Sequence, residues 1–358
     1  MNGLLKRIDF QLVIPVLVLV GISLVTIFSI NGDLFRNQLV FFFLSIGIFI
    51  FFTYTDFSLL ESLNKPIYII SFLGLLFLLF LGFEARGASR WLDIFGFRLQ
   101  FSEVFKPFLA ISLSWYVANH KKSLASVGWI CLLLFPVAFL IYKQPDLGSA
   151  LMYVLSVVLT LILFGYPLWI FLASGLGLAA CIPLIFRFLH EYQRVRLLTF
   201  FHVTTDPLGS SYNAIQAVIA VGSGMLLGKG LGQGTQSGLR FLPERHTDFI
   251  FATISEDLGL VGGLVILGAF AFLLYRLYKA SRAAETISEK IFLMATFSLL
   301  FVQCFVNIGM NIGLLPIVGV PLPFVSYGGS SLLSNAVFLG IASAISSSRK
   351  DKPTLEIR

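Results

Sequence analysis

Long apolar runs separated by short polar breaks set the rhythm of this chain. A helix that crosses the hydrocarbon layer needs about 20 mostly apolar residues, and by that rule the pattern predicts about ten spans. They fall near Leu12–Ile30, Asn37–Tyr54, Pro66–Phe83, Ser102–Ala118, Val127–Tyr142, Leu147–Phe164, Leu168–Leu189, Phe249–Tyr278, Ile291–Met310 and Phe324–Ser346. The fourth is odd: Glu103 and Lys106 lie inside it, and Pro107 should bend it. The eighth is long enough that part of it must tilt or protrude. A polar stretch, His190–Thr247, precedes it. Within that stretch Tyr212–Val221 is apolar enough to be a short helix dipping into the membrane interface. The pattern predicts an all-α polytopic membrane protein, one integral domain over residues 1–358, with 190–247 as a large loop holding a re-entrant or interfacial helix. No internal repeat or low-complexity tract stands out.

Composition agrees. Of 358 residues, 57% are hydrophobic and only 12% charged, and the mean hydropathy is +0.91. Soluble domains are roughly 25% charged. The net charge of +7 does not point to nucleic acid, because the basic residues are scattered over loops and form no patch. They follow the positive-inside pattern instead. With the N-terminus inside, the inner segments hold Lys6, Arg7, Lys65, Lys121, Lys122, Arg276, Lys279, Arg282, Lys290, Arg349, Lys350, Lys352 and Arg358. The short outer loops hold Arg36, Arg86, Arg90, Arg98 and Lys143. Both termini are therefore expected in the cytoplasm, and residues 190–247 outside. Lys6 and Arg7 ahead of an apolar run resemble a signal peptide, but no small-residue cleavage site follows, so an uncleaved first helix is expected. Cys131, Cys181 and Cys304 all lie in apolar runs and read as small core residues.

This orientation gathers the unusual polar residues on the outer side, where ATP is absent. Asp248, in Leu242-Pro243-Glu244-Arg245-His246-Thr247-Asp248-Phe249-Ile250-Phe251, is the last carboxylate before the eighth span. It is either a helix N-cap or a functional group kept at a costly boundary. Glu103 and Lys106 share a helix face. They either neutralise each other, or Lys106 reaches an anionic ligand while Glu103 holds it. Arg98, Arg194 and Arg196 are juxtamembrane cations that could equally snorkel to lipid headgroups. Asp146, in Gln144-Pro145-Asp146-Leu147-Gly148, reads locally as a cap for the sixth span. Gly228-Lys229 invites a phosphate-loop reading that fails, because Ser223 and Gly230 stand where the motif needs Gly and Ser or Thr. The neighbouring glycines fit a flexible or re-entrant loop lining a protein cavity. There is no HExxH, no paired-cysteine motif, no Ser/His/Asp set, no Asp-x-Asp and no histidine cluster by spacing. A divalent cation, Mg or Mn, could be held partly by Asp248 or Glu103, but no spacing demands one. One carboxylate and several cations at a lipid boundary suit a substrate with an anionic head on a lipid tail. The carboxylate could take a hydroxyl proton, and the cations could stabilise a pyrophosphate leaving group.

At this point the chain resembles the SEDS family of peptidoglycan glycosyltransferases along nearly its whole length. The most specific stretches are GKGLGQGTQSGLRFLPERHTDFIFATISEDLGLVG (228–262) and NIGMNIGLLPIVGVPLPFVSYGGSS (307–331), supported by RGASRWLDIFGFRLQFSEVFK (86–106) and QPDLGS (144–149). The resemblance implies helices around an outward-facing cleft in the bacterial inner membrane. It implies polymerisation of glycan strands from lipid II, with a class B penicillin-binding protein as partner. It makes Asp248 the catalytic residue, gives Arg98, Lys106 and Glu103 importance in the segment leading into the fourth span, and matches Arg196 more loosely. With Asp146 these residues form the expected substrate site. Where relatives read Gln-Pro-Ser/Ala-Glu, this chain has Gln100-Phe101-Ser102-Glu103, so the entry angle of the fourth span and the direction of Arg98 stay open. Arg245 before His246 leans toward the elongation branch. Two other functions remain compatible with the residues alone: a flippase for lipid-linked precursors and a non-catalytic membrane scaffold for a penicillin-binding protein.

Overall fold

The computed structural model describes residues 7–81, 83–85, 88–94, 97–188, 194–195, 198, 200, 212–239 and 241–348. The chain is nearly all helix, because a backbone in hydrocarbon must satisfy its own hydrogen bonds. Helix α1 (Phe10–Ile30) turns into α2 (Gly32–Tyr54) through Asn31, whose side chain accepts from the backbone N–H groups of Asp33 and Leu34. The short α3 (Phe57–Ser62) leads to α4 (Asn64–Leu81). After the sheet described below come α5 (Phe101–Val104), α6 (Lys106–Asn119), α7 (Leu124–Lys143) and α8 (Leu147–Phe164). Then follow α9 (Leu168–Ala180), α10 (Ile182–Phe188), α11 (Tyr212–Ser223), α12 (Thr235–Gly238), α13 (Ile250–Ala283), α14 (Ile287–Asn311) and α15 (Gly329–Ser348). Among the described residues, seven helices are long and apolar enough to cross a membrane: α1, α2, α7, α8, α13, α14 and α15. Shorter apolar helices are α4 and α9. The main core joins α1, α13, α14 and α15 through residues such as Leu19, Phe270, Phe292 and Phe338.

Four features depart from the pattern reading. The polar loop expected before the fourth span contains a small antiparallel sheet, β1 (Phe83–Ala85), β2 (Ala88–Ile94) and β3 (Phe97–Leu99), in the order β1-β2-β3. The fourth span breaks at Phe105, two residues ahead of Pro107, leaving α5 and α6 as separate pieces. The seventh divides into α9 and α10 at Cys181. The last helix starts at Gly329 rather than Phe324, because Phe324 takes a left-handed conformation (φ 63°) in a buried turn.

The glycine-rich segment is packed against α13. That helix is kinked at Gly259 (φ 65°, ψ −161°). A kink strips helical N–H groups of their usual partners, and here the loop replaces them. Leu260 N–H donates to the Met225 carbonyl at 2.8 Å and Val261 N–H to the Leu226 carbonyl at 3.2 Å. In return Lys229 N–H reaches the Glu256 carbonyl and Gly230 N–H the Asp257 carbonyl, each at 3.0 Å. Only glycine fits at 228: a Cβ there would lie 2.2 Å from the Asp257 carbonyl oxygen.

Candidate active site

Residues 242–249 form a tight turn ahead of α13. Thr247 N–H (3.1 Å) and Phe249 N–H (3.3 Å) both donate to the Glu244 carbonyl. The helix begins at Ile250 with Phe249 in the N-cap position. Asp248 thus stands one residue outside the place where a capping side chain serves the first turn. Its backbone is fixed from another helix. The Asp248 carbonyl accepts from Asn307 Nδ2 at 3.1 Å and from Asn311 Nδ2 at 3.0 Å. Asn311 Oδ1 accepts from Ala252 N–H at 3.1 Å, satisfying one of the donors that a helix start leaves without an intrahelical partner. Asn307 Nδ2 also donates to the Val320 carbonyl at 2.7 Å.

The turn between α14 and α15 closes over this segment. Ser326 Oγ donates to the Thr247 carbonyl at 2.7 Å, and Tyr327 N–H to the His246 carbonyl at 2.8 Å. The His246 and Tyr327 rings meet edge to face, 5.6 Å between centroids. Gly319 (φ 70°) lies against the half-buried Asp248: a Cβ there would sit 3.4 Å from Asp248 Oδ2. A side chain at 319 would be strained and would also crowd the carboxylate.

A second cluster abuts the same turn. Asp146 N-caps α8, accepting from Ser149 N–H at 3.0 Å and Ser149 Oγ at 2.9 Å. Gln100 Nε2 donates to Asp146 Oδ2 at 2.7 Å, while Gln100 N–H donates to Ser330 Oγ at 2.8 Å. One residue therefore ties the β3–α5 junction to α8 and α15. Glu103 and Lys106 form a buried ion pair at 2.6 Å. Tyr153 OH donates to the Ser102 carbonyl at 2.6 Å, fixing α5 to α8. A Cβ at Gly148 would come 2.4 Å from the Val318 carbonyl oxygen, so the first turn of α8 touches the 318–320 backbone that also flanks Asp248. Asp146, Glu103 and Lys106 are thus joined through short contacts to the turn beside Asp248. Arg98 stands apart on β3, exposed and in register with Asp93. Arg196 lies outside the described residues. No three His, Cys, Asp or Glu side chains gather as a metal site among the described residues.

Gln100, Asn307 and Asn311 escaped the pattern reading. The two asparagines carry a faint signal. They are polar, four apart, inside an apolar run, and polar groups within a span face the bundle interior.

In this polytopic membrane protein buried Glu103, Lys106 and Asp146 gather with Asp248 at one end of the helices, where α8, α13 and α15 begin and α14 ends, while buried Asp9 pairs with Arg276 toward the other end of α13. The family model described as "Cell cycle protein", covering FtsW, RodA and SpoVE, matches residues 3–351. The chain belongs to this family. Peptidoglycan glycosyltransferase MrdB of Escherichia coli K12 is 41% identical over 293 residues, covering 81% of this chain and 79% of that protein. The probable peptidoglycan glycosyltransferase FtsW of Alcanivorax borkumensis is 35% identical over 308 residues, covering 83% of this chain and 79% of its own. Among solved structures, a chain of a peptidoglycan synthase complex that coordinates polymerization and crosslinking superposes with a TM-score of 0.83 at 30% identity, over 96% of this chain and 99% of that one. Thermus thermophilus rod shape determining protein RodA gives 0.72 at 27% identity, over 96% and 98%.

Proposed function

We propose that this peptidoglycan glycosyltransferase polymerises glycan strands from lipid II during cell-wall elongation, with Asp248 as general base. The observation that carries the assignment is the way Asp248 is held. Its backbone is clamped by Asn307 and Asn311, and the residue lies outside the N-cap position of α13. The protein is a multi-pass protein of the bacterial inner membrane. In the proposed orientation both termini are cytoplasmic, and Asp248 and residues 190–247 face outward. About ten spans then arise if α4, α6 and α9 with α10 cross alongside the seven long helices. Residues 1–358 form one integral domain, with α11 as the re-entrant or interfacial helix.

In this reading the 4-hydroxyl of an incoming lipid II attacks the anomeric carbon of the growing strand. The lipid pyrophosphate leaves from the opposite side, so the centre inverts, and Asp248 takes the hydroxyl proton. Lys106, Arg98 and Arg196 meet the pyrophosphate. Glu103 holds Lys106, and Asp146 belongs to the site by holding Gln100. A divalent cation, Mg or Mn, would add charge at the leaving group. A class B penicillin-binding protein is the proposed partner and crosslinks the product.

The test is purified full-length protein with lipid II, with and without a class B penicillin-binding protein, assayed for glycan strands. Asp248→Asn is expected to cut polymerisation by about 10²–10⁴ with an unchanged melting temperature, because the fold holds the carbonyl of this residue. Near-normal strand synthesis by a folded Asn variant would overturn the assignment. Translocation of labelled lipid II without any polymer from the wild type would make the protein a flippase.

A further inference from the structure

A cavity of about 440 Å³ lies between α4, α6, α7 and α8, away from Asp248. Of the proposed site residues that the structure describes, only Lys106 lines it. It runs the length of α6, from Lys106 to Tyr116, and counted at 1.5 Å per residue this is about 15 Å. Packed side-chain clusters flank it at both ends. Leu75, Ile141 and Tyr153 belong to the cluster above it, and Val117, Ile130 and Tyr166 to the cluster below. The wall between is apolar, with Leu109, Leu113, Leu134 and Val157. The side between α4 and α7 is open: Lys65, Ile69, Trp129 and Leu133 line the cavity and are themselves exposed. Tyr68 OH donates to the Leu133 carbonyl at 2.7 Å, bridging the two helices across that opening.

We propose that this cavity holds one acyl chain of an anionic phospholipid drawn from the inner leaflet, with its headgroup beside Lys65. An apolar cavity of this size excludes water and accepts hydrocarbon. The chain's direction follows from charge. At the upper end Lys106 is buried and paired with Glu103 at 2.6 Å, in the interior rather than at the opening between α4 and α7, so a headgroup that stays in the bilayer does not reach it. At the lower end Lys65 is exposed at the start of α4, and Trp115, Tyr116 and Trp129 stand around it as interfacial aromatics do. An exposed lysine at that level attracts anionic lipid. The assignment to the inner leaflet rests on the orientation proposed above. The cavity and its apolar occupant do not, and the test reads binding, not polymerisation.

Full-length protein is placed in nanodiscs containing phosphatidylglycerol with a diazirine at the end of one acyl chain, irradiated, and mapped by peptide mass spectrometry. Labels are expected on Leu109, Leu113, Val157 or Leu299, severalfold above those from the matched phosphatidylethanolamine probe. Lys65→Glu should remove that headgroup preference at an unchanged melting temperature. Ala110→Phe should abolish the interior labels by filling the space, and Ser156→Leu does the same from α8 if the first variant does not fold. Labels confined to the outward faces of α4 and α7 would overturn the proposal, as would interior labels that survive filling. Equal labelling by both phospholipids would overturn the headgroup assignment. Interior labelling by a polyprenyl phosphate probe but not by phosphatidylglycerol would overturn the acyl-chain assignment.

Discussion

Two glutamate–lysine pairs in this protein share the same charges and are built differently. Glu103 and Lys106 are three residues apart at the α5–α6 break, buried and 2.6 Å from each other. Glu256 sits inside α13 and meets Lys229 of the glycine-rich loop at 3.0 Å. Its oxygens also accept the backbone N–H groups of Gln236 and Ser237 at 2.9 Å and the Thr235 hydroxyl at 3.3 Å. A carboxylate that collects this many donors is saturated, and its work is to clamp the loop onto the kinked helix. Glu103 has Lys106 as its side-chain hydrogen-bond partner among the described residues. An ammonium has three donors: among the described residues Lys106 uses one, on Glu103, while Lys229 uses two, on Glu256 and the Thr235 hydroxyl. Burial of a charged pair alone therefore does not mark a functional site; the count of partners separates the two.

Substitutions can break this contrast. The largest effect on folding is expected from Glu256→Ala, which leaves the backbone donors of residues 236 and 237 and the Lys229 charge without their acceptor. Leaving a buried donor unsatisfied costs about 1–3 kcal/mol, and two backbone donors lose their acceptor here, to be read as a lower melting point and as faster proteolysis between residues 224 and 239. A stable Glu256→Ala protein would end the clamp reading.

Next comes the neutral double variant Glu103→Gln with Lys106→Met, which removes both charges at once. Replacing a buried pair by neutral groups of similar volume is often tolerated, so the melting point should stay near the wild type. Glycan polymerisation should fall by about 10²–10³, the loss typical of one electrostatic contact to a transition state. A stable double variant with full activity would make this pair as structural as the other.

The smallest effect belongs to Lys229→Ala. This side chain is 28% exposed, so solvent screens its contribution to about 1 kcal/mol or less. Polymerisation should be unchanged, because Glu256 keeps its backbone donors. Loss of activity without loss of stability would give Lys229 a place in the site.

The positions of the long spans were legible because the bilayer imposes a length of apolar sequence that soluble folds do not need. Asp248 was legible as the carboxylate ahead of an apolar run, and Glu103 with Lys106 as a charge pair in a span. The β1–β3 sheet was not, since strands of three residues have too little alternation to register. Nor was the start of α15: Phe324 and Val325 continue the apolar pattern, but both are buried in a turn. The cap reading of Asp248 differs from the structure by one residue, because Phe249 takes the N-cap position and the helix begins at Ile250.

By itself the sequence determined what local chemistry controls: which segments prefer lipid, where charge sits along the chain, and the motifs that placed it in its family. Tertiary structure alone decided which polar groups meet. Gln100 and Ser330 are 230 residues apart, and Asn311 and Asp248 are 63 apart. A hydrogen bond forms only within about 3 Å, and no local pattern specifies the helix packing that closes those gaps.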